Sequence, residues 1–584
     1  MWEHKGLCLI LALYLILALW YSVTIPLGEA PDEAPHYSLV RYVARERGYP
    51  TGGEEHEAFQ PPLYYLVGAL ATFWIDTDDF VIKANSDFSF TDPQAPQNLL
   101  LHTAAESFPY RGWALAWHLV RLLSVSMGAV TITATYALAR HLFPQQPYFA
   151  LGTAALNALI PAFLFTSSVA NNDNLATMLS ALALLVIVKS VKGGNGPSHF
   201  ATLGFLAGLG ALTKFSLLAL LPLALIAAAL LAHREVGPLA AKVRGGLGRG
   251  LAFLSPFFMV SGPWFWRNWN LYGDPLAWAQ VLRLNALREA PLSAQDWLGL
   301  FEGLYSSFWL SWIGIDLDVV VHVVLALAVL ASWAGLLHFA LREKEPLTCA
   351  LLSLLGIYAF LIFLALLRWT TVVLGTGQAR LLYPALPALL IFLFLGWREL
   401  IPQRYASALA YGVGGGMLLL AALTPVKYIA PLYAPPPLFT PADLEGIEHR
   451  QALDFGGLIR LHGYEIEAKE VSPGETLLLS LYWEALKDIE RDYWLLLQVV
   501  DERDEPVLVK DGSPSAGRYA TDLWKGGELI PSQHRLYIPE EAPPGHYRIK
   551  LGLHPFGLWE WLPIFDEEGK ALGEVITLAG IEIR

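Results

Sequence analysis

The chain has 584 residues, of which 55% are hydrophobic and 16% charged, with a mean hydropathy of +0.43. A water-soluble core does not absorb that apolar excess, so the bilayer is expected to be the solvent for most of the chain. A formal net charge of −13, with no basic tract and no zinc-type ligand spacing, sets a nucleic-acid partner aside.

Apolar runs of about 20 residues, the length that crosses a hydrocarbon core as a helix, recur along the first 425 residues. They fall at 6–27, 113–139, 148–169, 174–191, 200–214, 216–232, 250–266, 319–340, 347–367, 380–397 and 405–423, which predicts about eleven spans. The first run is longer than a secretory h-region and more spans follow it, so a retained helix is expected rather than a cleaved signal. Lys214 interrupts 200–232, which reads either as two short helices meeting there or as one long tilted helix. Cys8 and Cys349 lie in apolar segments and are expected to be inert packing residues, with no disulfide framework.

Basic loops at Arg140-His141, Lys189 with Lys192, 234–249, Arg342 with Lys344, and Arg398 with Arg404 mark the cytoplasmic side of a multi-pass cell (plasma or inner) membrane protein. The large loop 28–112 and everything after about residue 424 then lie outside. A Pro-rich linker over 426–450 separates the membrane domain, 1–425, from a C-terminal domain, 451–584. There, alternating segments at 475–483, 493–501, 534–538, 546–553 and 574–583 predict an extracytoplasmic antiparallel β-sandwich of about eight strands. Its aromatics, Tyr493-Trp494, Trp524 and Trp559 with Trp561, read as sandwich core rather than as surfaces for sugar stacking.

The chemistry-bearing residues cluster at expected membrane edges. Glu29, Asp32, Glu33 and His36 fall within a short stretch stiffened by Pro31 and Pro35. Asp32 read in isolation is a helix cap with Glu33 stabilising the same N-terminus. Arg267 among Trp264, Trp266 and Trp269 has the composition of an interfacial anchor, Gln60 before Pro61-Pro62 that of a helix entry, and Asn172 or Asp173 that of a cap.

Taken together, several stretches resemble the GT-C membrane glycosyltransferases, close to the bacterial family 39 and protein-mannosyltransferase-like branch. They are P-D-E-A-P-H-Y at 31–37, Q-P-P-L-Y-Y at 60–65, R-L-L-S-V at 121–125 and N-N-D-N at 171–174. L-T-K at 212–214, P-W-F-W-R-N-W-N-L-Y-G-D-P at 263–275 and Q-A-R-L-L-Y-P-A-L-P-A-L at 378–389 continue the series. The resemblance covers about residues 1–400, and the β-rich tail is similar to domains appended to some such transferases. It implies a GT-C-like polytopic helical membrane protein that moves a sugar from a polyprenyl-phosphate donor to a carbohydrate, lipid or protein acceptor outside the membrane, with an acidic base in the first outer loop. Asp32 is then the first choice of base and Glu33 the second.

A cation must stabilise the phosphate that leaves; Arg380, with Gln378 beside it, Arg267 and Lys214 are the candidates. His36, Gln60, Asn172 and Asp173 are candidate substrate contacts. His36 and His56 with Asp32 or Glu33 form a weak candidate site for a divalent metal ion, since no fixed ligand spacing supports it. Phe59-Gln60 stand where relatives carry an acidic or basic residue before Pro-Pro, so that donor contact does not carry over. The polar insertion from Asp76 to Arg111 matches no assigned part and is a candidate for shaping the acceptor site. The competing readings are a non-enzymatic binder or transporter of a lipid-linked glycan, and a ligase of preassembled oligosaccharides.

Overall fold

Helix starts in the first 430 residues are set by prolines and side-chain caps. A computed structural model describes residues 2–90, 92, 95–193 and 196–584. Helix α1 is Trp2–Thr24, α2 is Glu33–Glu46, α3 is Leu63–Thr72 and α4 is Gly112–Leu142. Then come α5 (Pro147–Leu159), α6 (Pro161–Ser167), α7 (Asn172–Lys192), α8 (Pro197–Ala211), α9 (Leu220–Arg234) and α10 (Leu239–Tyr272). The series closes with α11 (Trp278–Arg283), α12 (Ala294–Trp309), α13 (Val319–Arg342), α14 (Pro346–Thr370), α15 (Leu386–Leu400) and α16 (Ala406–Thr424). A two-residue hairpin, β1 (Ser311–Trp312) and β2 (Ile315–Asp316), precedes α13.

Proline opens α5, α6, α8 and α14, where the missing N–H removes no helix bond. Helix α7 is capped by Asn171, whose side chain accepts the Asp173 amide at 2.9 Å. Eight helical segments are long and apolar enough to cross a membrane, and α5 with α6, bent by 61°, makes a ninth if the pair is one broken span. Two of the expected spans fall outside that set: 200–214 lies on the 15-residue α8, and 250–266 lies within the 34-residue α10. Lys214 sits between α8 and α9, so the two-helix alternative holds. Helix α13 exposes Val319, Val323, Leu327, Leu330, Trp333 and Leu337, a surface suited to acyl chains rather than water. Cys8 and Cys349 form no disulfide and are exposed, so they are not the packing residues expected of them. Gly335 of α13 and Gly396 of α15 let the two backbones meet; a Cβ on either would collide with the partner backbone.

Contacts divide the chain into two compact units: Met1–Ile25, Ala30–Asp78 and Leu115–Ile429 form one, and Pro26–Glu29, Asp79–Ala114 and Ala430–Arg584 the other. The second unit holds two sheets rather than a bare set of eight strands. Its strands are β3 (His449–Phe455), β4 (Ile459–Ile466), β5 (Glu470–Val471), β6 (Thr476–Ala485), β7 (Tyr493–Val500) and β8 (Pro506–Gly512). These are followed by β9 (Leu529–Tyr537), β10 (Gly545–Pro555), β11 (Ile564–Phe565), β12 (Ala571–Gly573) and β13 (Ile576–Ile583). The orders are β12-β11-β3-β4-β6-β9 and β5-β13-β10-β7-β8, antiparallel except for β5 beside β13.

Strand β6 alternates buried and half-buried residues along its length, as a sheet with one core face requires. Leu461, Leu479 and Trp483 of one sheet meet Leu497, Ile549 and Leu551 of the other in a shared core, completed by Trp524. Burial in β7 is nearly continuous because the 79–114 segment packs in the same unit. Lys83 pairs with Asp492 at 2.8 Å, Asp92 with Arg535 at 2.6 Å, Asp87 with Lys510, and Asn98 donates to the Gly517 carbonyl at 2.6 Å. Most of the insertion that matched nothing in the sequence is therefore an integral part of the β unit. Trp559 departs from the core expectation: it is 67% exposed.

Candidate functional site

The chain leaves α1 and turns sharply before α2. Asp32, the residue before α2, sits at φ 58°, a left-handed conformation that a non-glycine residue holds only when its surroundings impose it. Asn171 imposes part of it by donating to the Pro31 carbonyl at 3.1 Å, which ties the turn to the N-terminus of α7. The neighbouring acids then part company. Glu33 points into the helical unit, fully buried, and Arg121 of α4 grips it with Nε at 2.6 Å and Nη2 at 2.7 Å. Trp117 Nε1 and the Ala170 amide donate to the same carboxylate at 3.0 Å each. Arg121 Nη1 also donates to the carbonyls of Ser22 and Ile25, so this pair fastens α1, α2, α4 and the start of α7 together.

Asp32 points the other way, into a cavity of 460 Å³, and its side chain is 53% exposed. Arg380, on the short 3-10 turn Ala379–Ala385 that leads into α15, reaches it with Nη2, donates from Nη1 to Asp173 Oδ2 at 3.0 Å and from Nε to Gln378 Oε1 at 2.8 Å. Lys214, from the break between α8 and α9, pairs with the other oxygen of Asp173. Two carboxylates and two cations thus alternate as Asp32, Arg380, Asp173 and Lys214, with Asp173 wholly buried beneath the other three. Burial alone would raise the Asp32 carboxyl; the Arg380 guanidinium, helped by Lys214, outweighs this and holds it down to about 2.

His36 lies one turn along α2 from Asp32 and lines the same cavity, with Nδ1 hydrogen-bonded to the Tyr65 hydroxyl at 2.8 Å. Its burial lowers its pKa against the pull of Glu57, Asp32 and Asp173, so the ring is neutral at pH 7. Asn172, the first residue of α7, also lines the cavity; it is 2% exposed and its Nδ2 has no hydrogen-bond partner. Gln60 completes the polar wall, joined by Glu57 and His56, which share a 3.2 Å contact. That contact, foremost, raises the His56 pKa. The rest of the lining mixes apolar side chains, Leu218, Val281, Ile362, Leu366, Trp369 and Leu381 among them, with Ser216, Asn285, Thr376 and a third cation, Arg368.

Of the residues expected from sequence, the cavity therefore gathers Asp32, His36, Gln60, Asn172, Lys214, Gln378 and Arg380, with Asp173 underneath. Glu33 and Arg267 are not on its lining. Arg267 lies over the Trp264 ring at 4.7 Å and donates to the Pro50 carbonyl at 2.7 Å. Glu57 was missed; it stands three residues before Gln60, near the position where relatives of the resembled family place a charge before Pro-Pro. Among the described residues, no group of three or more His, Cys, Asp or Glu side chains is placed to hold a metal ion.

Residues 116–260 match the family model described as dolichyl-phosphate-mannose-protein mannosyltransferase. That segment includes the motifs at 121–125, 171–174 and 212–214, and the resemblance to GT-C membrane glycosyltransferases stands on it. No curated protein matches the chain. Among solved structures, the apo oligosaccharyltransferase of Archaeoglobus fulgidus aligns at 14% identity and TM-score 0.39, over 73% of this chain and 55% of its own. This chain thus spans about half the length of that protein. ArnT from Cupriavidus metallidurans bound to undecaprenyl phosphate aligns at 15% identity and TM-score 0.41, over 73% of each chain. The Saccharomyces cerevisiae Pmt1-Pmt2 O-mannosyltransferase complex with its sugar donor aligns at 14% identity and TM-score 0.33, over 46% of this chain and 34% of its own. These scores are too low to establish a shared fold.

Proposed function

We propose that this chain is a glycosyltransferase that moves one sugar from a polyprenyl-phosphate donor to an envelope acceptor, by an inverting displacement with Asp32 as base. The observation that carries this reading is one cavity whose lining combines a half-exposed carboxylate, the cations Lys214, Arg368 and Arg380, and a large share of apolar side chains. A donor of this class combines the same two chemistries, a charged phosphodiester and a hydrocarbon tail. The basic loops favour an extracytoplasmic position for Asp32 and for the β unit.

In the displacement, an acceptor hydroxyl attacks the anomeric carbon while the bond from that carbon to the phosphate oxygen breaks. Asp32 takes the acceptor proton and becomes neutral as the phosphate gains one negative charge. The net charge of the site is unchanged across the step. Arg380 and Lys214 neutralise the leaving phosphate, and the unpartnered Nδ2 of Asn172 is the neutral donor to it. Glu33 acts as the buried counter-ion of Arg121, not as a second base. His36, neutral and fixed by Tyr65, orients a sugar or acceptor hydroxyl.

The low Asp32 pKa has a mechanistic reading. A carboxylate gripped by a guanidinium is a weak base, and a donor phosphate competes for the same Arg380 fork. Donor binding would therefore free Asp32 and restore its basicity just when an acceptor can use it. The reading is tested by incubating the purified chain in detergent with a panel of radiolabelled polyprenyl-phosphate sugars, beside Arg380→Ala. It expects one donor class to be consumed by the wild type and saturable donor binding to weaken in the variant. Absence of both binding and consumption across the panel would instead leave a binder or transporter of another lipid-linked glycan.

A further inference from the structure

We propose that the β unit carries a carbohydrate-binding platform of its own, formed by Trp559, Trp561, His554 and Asp511 and suited to a neutral pyranose. It goes beyond the transfer reaction and does not depend on it. The sequence suggests that these tryptophans belong to the sandwich core, whereas that core is complete without them: Trp483 and Trp524 fill it. Trp559 instead lies on the segment joining β10 to β11, 67% exposed.

Its ring is stacked on His554, with centroids 4.8 Å apart and planes at 24°. Trp561 meets the same imidazole edge-on at 5.0 Å, and the two indoles are 5.9 Å apart at 48°. His554 is itself held rigid. It is 2% exposed, its Nε2 faces Asp511 Oδ1 at 3.0 Å, and its Nδ1 faces the carbonyls of Pro555 and Leu558. One face of Trp559 is thus packed on a fixed ring while the indole as a whole stays open, so little ordering is left to be done when a ligand arrives.

The occupant follows from the rim. An indole face attracts the polarised C–H face of a sugar ring, and a flanking carboxylate accepts its hydroxyls. Asp511, paired with His554 and 29% exposed, is the carboxylate beside the indoles. A membrane surface calls for Lys and Arg around the aromatics, and an anionic glycan would be repelled. A stable protein partner typically covers about 800 Å² per side, far more than two indoles present.

The test is a titration of the full-length Asp32→Asn chain in detergent, which separates glycan binding from turnover. Neutral gluco-, manno- and galacto-oligosaccharides are added and tryptophan fluorescence and saturation-transfer NMR are read. Binding is expected with a Kd of about 0.1–1 mM, weakened at least about tenfold by Trp559→Ala, retained by Trp559→Phe and weakened by Asp511→Asn. Failure of every oligosaccharide to bind at about ten times that concentration would overturn the proposal. So would equal binding by Trp559→Ala, which would put the sugar elsewhere.

Discussion

Arg121→Met should be among the most damaging single substitutions in the helical unit. Glu33 and Arg121 are both fully buried, and the guanidinium supplies two of the carboxylate's hydrogen bonds and a countercharge in direct contact. Met keeps the bulk of the arginine stem but takes the guanidinium away from a buried carboxylate, a loss of about 3–5 kcal/mol. Native stabilities are typically about 5–15 kcal/mol, so the loss is a large share of the total. Glu33→Gln keeps shape and several hydrogen bonds, leaves Arg121 its contacts to Ser22 and Ile25, and should cost less, about 1–3 kcal/mol. The double variant should cost less than the two singles added, because neither charge is then stranded.

Chemical unfolding in detergent, followed by circular dichroism with turnover measured in parallel, reads all three variants. A wild-type-like midpoint for Arg121→Met would refute the buried-pair account. Glu33→Gln that melts like wild type yet transfers nothing would make Glu33 the base.

Three further outcomes follow from the site and the β unit. Asn172→Leu removes an amide whose Nδ2 is buried without a partner, so thermal stability should hold or rise while donor affinity falls about tenfold in a binding assay; unchanged affinity would mean the amide does not meet the donor. Lys214→Met should lower transfer by about 10²–10³-fold and destabilise the chain, because Asp173 keeps only Arg380; retention of full activity would exclude Lys214 from the phosphate end.

In the β unit, His102 faces Glu29 and Glu106 at 2.9 Å each. Burial opposes protonation, but the two carboxylates, Glu106 foremost, push its pKa from 6.5 up to about 10. A raised folded-state pKa contributes stability that is complete below about 6.5 and is lost as pH rises through about 10. Midpoints of thermal unfolding should fall over that window in wild type and fall less in His102→Gln, and parallel curves would contradict the assignment.

What the sequence discloses and what it hides divide along physical lines. Asp32, Arg380 and Lys214 are legible because charge at a membrane edge or beside an apolar run is costly without a purpose. Their mutual pairing is not, since α2, the α8–α9 break and the start of α15 lie far apart in the chain. Arg121 sits inside an apolar run and gave the same signal, yet its partner was hidden by the adjacency of Asp32 and Glu33. One residue of rotation along α2 sends one acid to the cavity and the other to the interior. The β strands announce themselves by two-residue alternation, but the order of the sheets is set by long-range pairing that alternation does not encode. The aspartates of 79–114 looked like solvated loop charges because their lysine and arginine partners lie some four hundred residues away.

The central claim is that Asp32 takes the acceptor proton, and single-turnover transfer by Asp32→Asn tests it most directly. With the chain saturated with the donor that the wild type consumes, the variant should still bind donor while its transfer rate falls about 10²–10⁴-fold. A single-turnover rate within about threefold of wild type would contradict the account.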